Sequence, residues 1–282
     1  MSDLVIFVIL GSAIFHAAWN AVIKGGTNTL FETVLKTSGG GLLSACLLLF
    51  IPAPAPESWP YLAGTVCIHI GYYLCLAYAY KGADLGYAYT LMRGTSPLLT
   101  ALMTVLVLGH SLPKGGWAGV LCISLGILSL TTDSIRRGNF NWRVTLVALA
   151  NAVVIMGYTV VDGSGVRLSG NALSYTCWVF FLNAFPLLCI TLFFRRGEYL
   201  RYAQKRWRYG LFGGACSFVA YGLSLWGMAR APISLVAALR ETSIIFGMLL
   251  GIMFLGEKIT GSRVLAVALV AAGAVIIKVW GQ

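Results

Sequence analysis

The chain has 282 residues, of which 59% are hydrophobic and 10% charged, and its mean hydropathy is +0.84. A soluble domain is about 25% charged and less than about half apolar, so this composition excludes a water-soluble globular fold. The net charge of +11 does not indicate nucleic-acid binding, because the basic residues lie in short polar breaks between apolar runs and not on one basic surface.

Ten apolar segments follow one another, each close to the roughly 20 residues that cross a bilayer as a helix. The N-terminal segment lacks the basic region and cleavage site of a signal peptide, so we expect it to remain as the first span. Only residues 195–208 are long enough to form a substantial loop. The predicted spans are 4–23, 31–51, 60–80, 84–107, 116–132, 144–162, 172–194, 209–229, 232–255 and 261–280.

The Lys and Arg residues in the loops and at the span ends are distributed unevenly between the two sides of the membrane. Thirteen lie in the odd-numbered loops and four in the even-numbered loops and tails. Because basic loops stay in the cytoplasm, this bias predicts a multi-pass protein of the inner (plasma) membrane with both termini outside the cytoplasm.

The first span carries one polar stripe on an otherwise apolar helix. His16, Asn20 and Lys24 recur at every fourth residue, with Trp19 beside them, and such a stripe must face protein or water. A histidine here is suited to proton exchange, and it is equally typical of a hydrogen-bonded packing residue.

Aromatic residues with polar tips recur in three later spans. His69, Tyr72 and Tyr73 share one face of the third span, Tyr158 lies in the sixth and Tyr221 in the eighth. Such side chains line small-molecule cavities, and they also occur in helix packing and in interfacial aromatic belts.

Two arginines occupy the interior of the fourth and ninth spans, where a charge is costly. Arg93 and Arg240 each offer a guanidinium fork suited to carboxylate or phosphonate oxygens. The alternatives are interfacial snorkelling or structural ion pairs, for which Glu241, Asp162 and Glu32 are the candidate partners. Glu241 cannot pair directly with its neighbour Arg240, because adjacent helical residues point about 100° apart.

The two arginines belong to an internal repeat. Three segments of the first half match the second half in a single register: Arg93–Ser96 (RGTS) and Arg240–Ser243 (RETS), 108–110 (LGH) and 255–257 (LGE), and Gly126 and Gly273. Each half contains an odd number of spans, so the second copy enters the membrane inverted. We therefore predict an all-α integral membrane fold of ten transmembrane helices in two inverted five-helix repeats, residues 1–133 and 142–282. This architecture is typical of secondary transporters that work by alternating access.

Four short motifs carry a family resemblance that extends over nearly the whole chain. They are His16–Asn20 (HAAWN), Gly82-Ala83, Arg230–Pro232 (RAP) and 255–258 (LGEK). With them the sequence resembles the drug/metabolite transporter superfamily, specifically the ten-helix EamA-type permeases. The resemblance implies a secondary carrier of a small polar metabolite, with a central cavity formed mainly by spans one, three, four, six, eight and nine. His110 departs from the pattern, since it stands where the second half has Glu257.

A weaker resemblance links the chain to EamA-like proteins associated with phosphonate utilisation, which also begin with an H-A-x-W-N segment. Catalytic motifs such as H-E-x-x-H and G-x-S-x-G are absent, as is a phosphate-binding G-x-x-x-x-G-K-S/T loop. We therefore predict neither an enzyme nor an ATP-driven pump. The three histidines lie on three different segments, so no metal site and no cofactor are predicted.

These observations favour a secondary transporter of an anionic or zwitterionic metabolite, such as an amino-acid-like compound or an aminophosphonate. An exporter of cationic drugs or toxic metabolites and a lipid-headgroup flippase are the alternatives on the same scaffold. The expected partners are the substrate, the lipid bilayer and protons as a candidate coupling ion, with no nucleic acid and with a monomer sufficient. The candidate substrate contacts are His16, Trp19, Asn20, His69, Tyr72, Tyr73, Arg93, Tyr158, Tyr221, Arg240 and Glu241.

Overall fold

The computed structural model describes residues 1–79, 85–136, 138, 140–255 and 260–281, and within them every regular element is helical. The motif residues Gly82 and Ala83 and the turn at 256–258 lie outside the described residues. The helices, preceded in one case by a single 3₁₀ turn at Pro56–Ser58, are α1 Asp3–Lys24, α2 Thr29–Leu48, α3 Trp59–Ala79, α4 Leu85–Leu106, α5 Lys114–Ser129, α6 Thr131–Arg136, α7 Trp142–Leu168, α8 Ala172–Met228, α9 Ile233–Arg240, α10 Ser243–Leu255 and α11 Gly261–Trp280.

Side-chain caps define where four of these helices begin. Each capping oxygen accepts a hydrogen bond from a backbone N–H of the first turn, which would otherwise lack a partner. The caps are Ser2 for α1, Asn28 for α2, Asn141 for α7 and Asn171 for α8. The turn before Asn171 contains Gly170 at φ +70°, a conformation that glycine adopts without a steric penalty.

Within the described residues, six helical stretches are both long and apolar enough to cross a membrane. They are Asp3–Lys24, Lys114–Arg136, Trp142–Leu168, Ala172–Met228, Ile233–Met253 and Gly261–Trp280. One of them, α8, consists of two antiparallel arms that meet at Arg195. Helices α2, α3 and α4 are 20, 21 and 22 residues long. With α5 and α6 taken together, and likewise α9 and α10, the described chain forms ten membrane-spanning helices, as the sequence predicts.

The expected loop at 195–208 is wrong, because these residues are helical and extend the second arm of α8. Only Arg195 departs from helical geometry, at φ −140° and ψ 32°, and the chain reverses direction there. Thr176 and Gly222 therefore lie side by side, since a Cβ at Gly222 would be 3.3 Å from Thr176 Cγ2. Basic side chains made this segment resemble a loop, although most of its residue types are good helix formers.

The helices pack in pairs that repeat between the two halves. The first helix of one half, α1, packs on the second arm of α8 and on α9 and α10 of the other half. The corresponding helix of the second half, α7, packs in the same way on α3 and α4. This reciprocal packing is the pattern of two inverted five-helix repeats related by a pseudo-two-fold axis.

Glycines allow two helix contacts between the halves to be close. A Cβ on Gly214 of α8 would lie 2.4 Å from the Gly40 backbone nitrogen of α2, and a Cβ on Gly273 of α11 would lie 2.7 Å from the Gly119 carbonyl oxygen of α5. Small residues at such crossings let helix backbones meet directly in a membrane. These four glycines therefore lie at packing contacts between the two halves.

Candidate functional site

A polar cavity lies between the two halves, with a volume of about 120 Å³. Its walls come from α1, α3, α4, α7, the second arm of α8 and α9, as the family resemblance implies, and also from α2 and the first arm of α8. The lining residues are His16, Trp19, Lys36, Thr37, His69, Tyr72, Tyr89, Arg93, Tyr158, Val179, Phe180, Asn183, Ser217, Ala220, Tyr221 and Arg240.

The polar stripe of α1 reaches this cavity through two of its members. His16 and Trp19 both line it, with their ring centroids 4.9 Å apart. Asn20 does not line it, and its side-chain nitrogen instead donates to the His16 backbone oxygen at 2.8 Å. On α1, the cavity-facing part of the stripe is thus the His16–Trp19 pair.

Arg93 and Arg240, the two arginines of the repeat, face the same cavity from opposite halves. Arg93 Nη2 lies 2.8 Å from Glu241 Oε2, with the two side chains 7% and 2% exposed. The two charged groups therefore form a buried ion pair. One of the predicted internal pairs is therefore present, and it joins the two halves.

Arg240 is arranged differently from Arg93. No carboxylate in the described part of the chain forms an ion pair with it, and its Nε has no hydrogen-bond partner. Its guanidinium carbon lies 5.8 Å from the centroid of the Tyr221 ring. Glu241 is therefore one carboxylate beside two buried guanidinium groups, and Arg240 keeps unused donors at the cavity.

His16 contacts Arg93. Arg93 Nη2 approaches His16 Nε2 to 3.4 Å. Because a guanidinium can only donate, His16 Nε2 is the acceptor and carries no proton in this arrangement. Arg93, Arg240 and Lys36 surround His16 with positive charge, which does not favour His16 as the proton-exchanging group.

The aromatic residues form one wall of the cavity. The His69 and Tyr158 rings stack at 4.6 Å, Tyr72 meets Tyr158 edge-on at 6.0 Å, and Tyr221 lies 6.4 Å from Tyr158. The side chain of Tyr73 lies outside the described part of the structure. Three helices thus contribute to one aromatic surface, which can bind apolar groups and, through the ring faces, an ammonium group.

Lys36 is a cavity residue that the sequence reasoning missed. It lies within α2, and its Nζ is 4.4 Å from the centroid of the Trp19 ring. The available signal was a lysine in the interior of a predicted span, the criterion by which Arg93 and Arg240 stood out. Asn183, on the first arm of α8, was missed because a single amide in an apolar segment carries no pattern.

The ninth span is interrupted beside the arginine. Helix α9 ends at Arg240 and α10 begins at Ser243, and between them the Glu241 and Thr242 amides bond three residues back, at 3.0 Å each. A 3₁₀ stretch inside a helix is often a hinge, and discontinuous helices often form transporter sites. In the described residues of α4, the equivalent Arg93 lies in unbroken helix with Pro97 one turn later.

Ten membrane-spanning helices in two inverted halves, with a polar cavity between them, define the scaffold of a small-molecule membrane transporter. Nothing in the described part of the chain groups three His, Cys, Asp or Glu side chains into a metal site.

The chain belongs to the EamA-like transporter family, which it matches over residues 3–132 and again over 142–279. A solved structure described only as "Crystal structure of protein" has a TM-score of 0.72 and 20% sequence identity, over 97% of this chain and 94% of the other. At that identity the likeness shows a common fold alone. A comparison with curated proteins gives no match.

Proposed function

We propose that this protein is a secondary active transporter that carries a small anionic or zwitterionic metabolite by alternating access. The carrying observation is the charge of the cavity. Lys36, Arg93 and Arg240 line it, and no carboxylate is among the described lining residues. Two carboxylates lie behind the wall, Glu241 beside Arg93 and Asp162 near Arg240, so three cations face two anions. An amino-acid-like compound or an aminophosphonate fits this imbalance.

The excess of positive charge lies in a buried cavity, where it affects ligand binding strongly. A buried charge without a partner is costly, so an excess of cations in a membrane interior favours a bound anion. The free Arg240 donors can form two parallel bonds to a carboxylate or phosphonate, and Lys36 offers a point charge. The faces of Tyr72 and Tyr158 suit the ammonium group of a zwitterion.

The dimensions favour a small substrate. The cavity volume of about 120 Å³ is below the roughly 300–1,000 Å³ typical of pockets for drug-sized ligands. Export of cationic drugs is disfavoured by the three cations of the wall.

Two inverted halves around one cavity suit alternating access, in which the repeats, 1–133 and 142–282, rock against each other. One chain supplies both halves, so a monomer is sufficient. The basic second arm of α8, with exposed Arg196, Arg201 and Lys205, belongs on the cytoplasmic side of the inner (plasma) membrane, which puts both termini on the opposite side.

A ligand-stabilisation screen on purified protein tests the substrate class. The panel contains amino acids, aminophosphonates, organophosphates, cationic drugs and lipid headgroups. Arg240→Met is the key variant, because it removes a cavity cation without leaving a carboxylate unpaired, whereas Arg93→Met leaves Glu241 buried alone. Arg208→Met, at an exposed arginine of α8, is the matched control.

Stabilisation by an anion or zwitterion that falls at least tenfold in affinity in Arg240→Met, and not in Arg208→Met, supports the proposal, since a lost charged hydrogen bond costs about 1.5–3 kcal/mol. Stabilisation only by cations or amphiphiles, unchanged in Arg240→Met, would refute it.

A further inference from the structure

The carboxylate of Asp162 is buried on α7 and belongs to none of the ion pairs described above. It is 0% exposed, and no Lys or Arg in the described part of the chain forms an ion pair with it. Three hydroxyl groups surround it: Tyr175 at 3.1 Å from Oδ1, and Thr65 at 3.0 Å and Tyr221 at 2.5 Å from Oδ2. A carboxylate buried in a membrane without a cation is energetically costly, and such residues usually have a function.

A hydrogen-bonded chain connects this carboxylate to the cavity. His69 Nδ1 lies 2.9 Å from the Thr65 backbone oxygen and 3.0 Å from Thr65 Oγ1, which donates to Asp162 Oδ2. A carbonyl oxygen can only accept, so His69 Nδ1 carries the proton. In the neutral ring, His69 Nε2 is then the basic nitrogen, on a side chain that lines the cavity.

We propose that Asp162 is the proton-binding site that couples transport to a proton gradient, and that protons reach it from the cavity through His69 and Thr65. A proton binds His69 Nε2, the Nδ1 proton passes to Thr65 Oγ1, and the Thr65 hydroxyl proton passes to Asp162 Oδ2. The carboxylate becomes a neutral acid and no electrons are transferred. This inference rests on the proposed function, to which it adds the ion and its site.

The groups that face Asp162 explain how its protonation changes substrate binding. From α3 these are Thr65 and His69, from α8 Tyr175 and Tyr221, and from α9 the Arg240 guanidinium, which acts on Asp162 electrostatically. Tyr158 lies one turn away on α7 itself, and Tyr61 lies beside Tyr175.

The charge of Asp162 offsets that of Arg240 beside Tyr221. Neutralising it leaves the cavity more positive, which strengthens the binding of an anion. Binding linkage is reciprocal, so an anion bound at the cavity favours protonation of Asp162 by the same factor. Substrate and proton therefore bind together and move in the same direction.

The first test needs no substrate. Infrared difference spectra between acid and alkaline pH are recorded on the protein in lipid bilayers, where a protonated carboxylic acid has its own carbonyl band. We expect a band that is absent in Asp162→Asn and present in Glu198→Gln, which removes an exposed carboxylate. Thr65→Val should shift it by removing a hydrogen bond, whereas Thr159→Val should not, because the buried Thr159 hydroxyl has no partner. A band that persists in Asp162→Asn overturns the proposal. If that variant does not fold, an unshifted band in Thr65→Val overturns it.

The second test measures transport in liposomes with alanine and 2-aminoethylphosphonate as probes. A gradient of one pH unit should give about tenfold accumulation on the alkaline side for one proton per substrate, without a membrane potential. Asp162→Asn should reduce this to equilibration and keep exchange at equal pH, whereas Thr159→Val should still accumulate. Loss of accumulation and exchange together would mean a structural role and overturn the inference. Normal accumulation in Asp162→Asn would also overturn it. If the wild-type protein carries neither probe while the infrared band depends on Asp162, the assigned substrate class fails and the proton site stands.

Discussion

Glu241→Gln should be among the most destabilising isosteric substitutions in this protein. The change keeps the size of the side chain and removes its charge, so Arg93 and Arg240 lose the carboxylate beside them. The Arg93 and Glu241 side chains are 7% and 2% exposed and their charged atoms are 2.8 Å apart, so bulk solvent screens the missing charge only weakly.

Removing one member of a buried pair costs about 3–5 kcal/mol, most of which is the penalty for the charge left behind. An exposed pair in the same chain provides the comparison. Arg195 and Glu198 are 44% and 53% exposed, and exposed pairs contribute about 0–1 kcal/mol. Glu198→Gln should therefore cost several-fold less than Glu241→Gln.

The assay is equilibrium unfolding in mixed micelles, applied to both Gln variants and to a double-mutant cycle of Arg93→Met with Glu241→Gln. Removing both partners should recover part of the loss, with a coupling energy above about 1 kcal/mol. The reasoning is refuted if Glu241→Gln and Glu198→Gln cost the same, or if the cycle gives no coupling.

Three further outcomes follow from the packing, the cavity and the topology. In thermal unfolding, Gly214→Ala should block folding or cost at least about 3 kcal/mol, because its Cβ would lie 2.4 Å from the Gly40 nitrogen. Gly247→Ala should be neutral or stabilising by up to about 1 kcal/mol, because a Cβ at Gly247 has nothing within 4 Å. Lys36→Met should weaken the binding of an anionic ligand at least fivefold in titration calorimetry while leaving the unfolding temperature nearly unchanged. Gln204→Cys, exposed on α8, should react with a membrane-impermeant maleimide only in inverted vesicles, and labelling from the outside would contradict the proposed orientation.

Most of the membrane topology could be predicted from the sequence because apolar length alone decides which segments span a bilayer. The segment 195–208 is the exception, because its charges are typical of a loop whereas its residue types favour a helix. Helices at a membrane surface can be strongly basic. The charge of a segment therefore indicates whether it crosses the membrane, but not whether it is a helix or a loop.

The candidate site was predictable to the extent that the repeat was visible. The shared register of Arg93 and Arg240 placed both in equivalent interior positions, and both line the cavity. The pairing of Arg93 with Glu241 was one of several open choices, because helix packing, and not sequence spacing, decides which side chains face each other. Lys36 lies inside the second span but outside the repeated motif that contains Arg93 and Arg240, so the repeat does not identify it.

The Glu241 carboxylate has no counterpart in the first half, where the matching residue is Gly94. Leu128 of α5 occupies the space at Gly94 instead, since a Cβ on Gly94 would lie 2.7 Å from Leu128 Cγ. Two identical inverted halves would make the inward-open and outward-open states degenerate, because exchanging the conformations of the halves converts one state into the other. If the two halves rock against each other as proposed, this carboxylate on one side of the axis is one of the differences that give the inward-open and outward-open states unequal energies. Glu241 is then a position at which a substitution would change the state that the empty protein prefers.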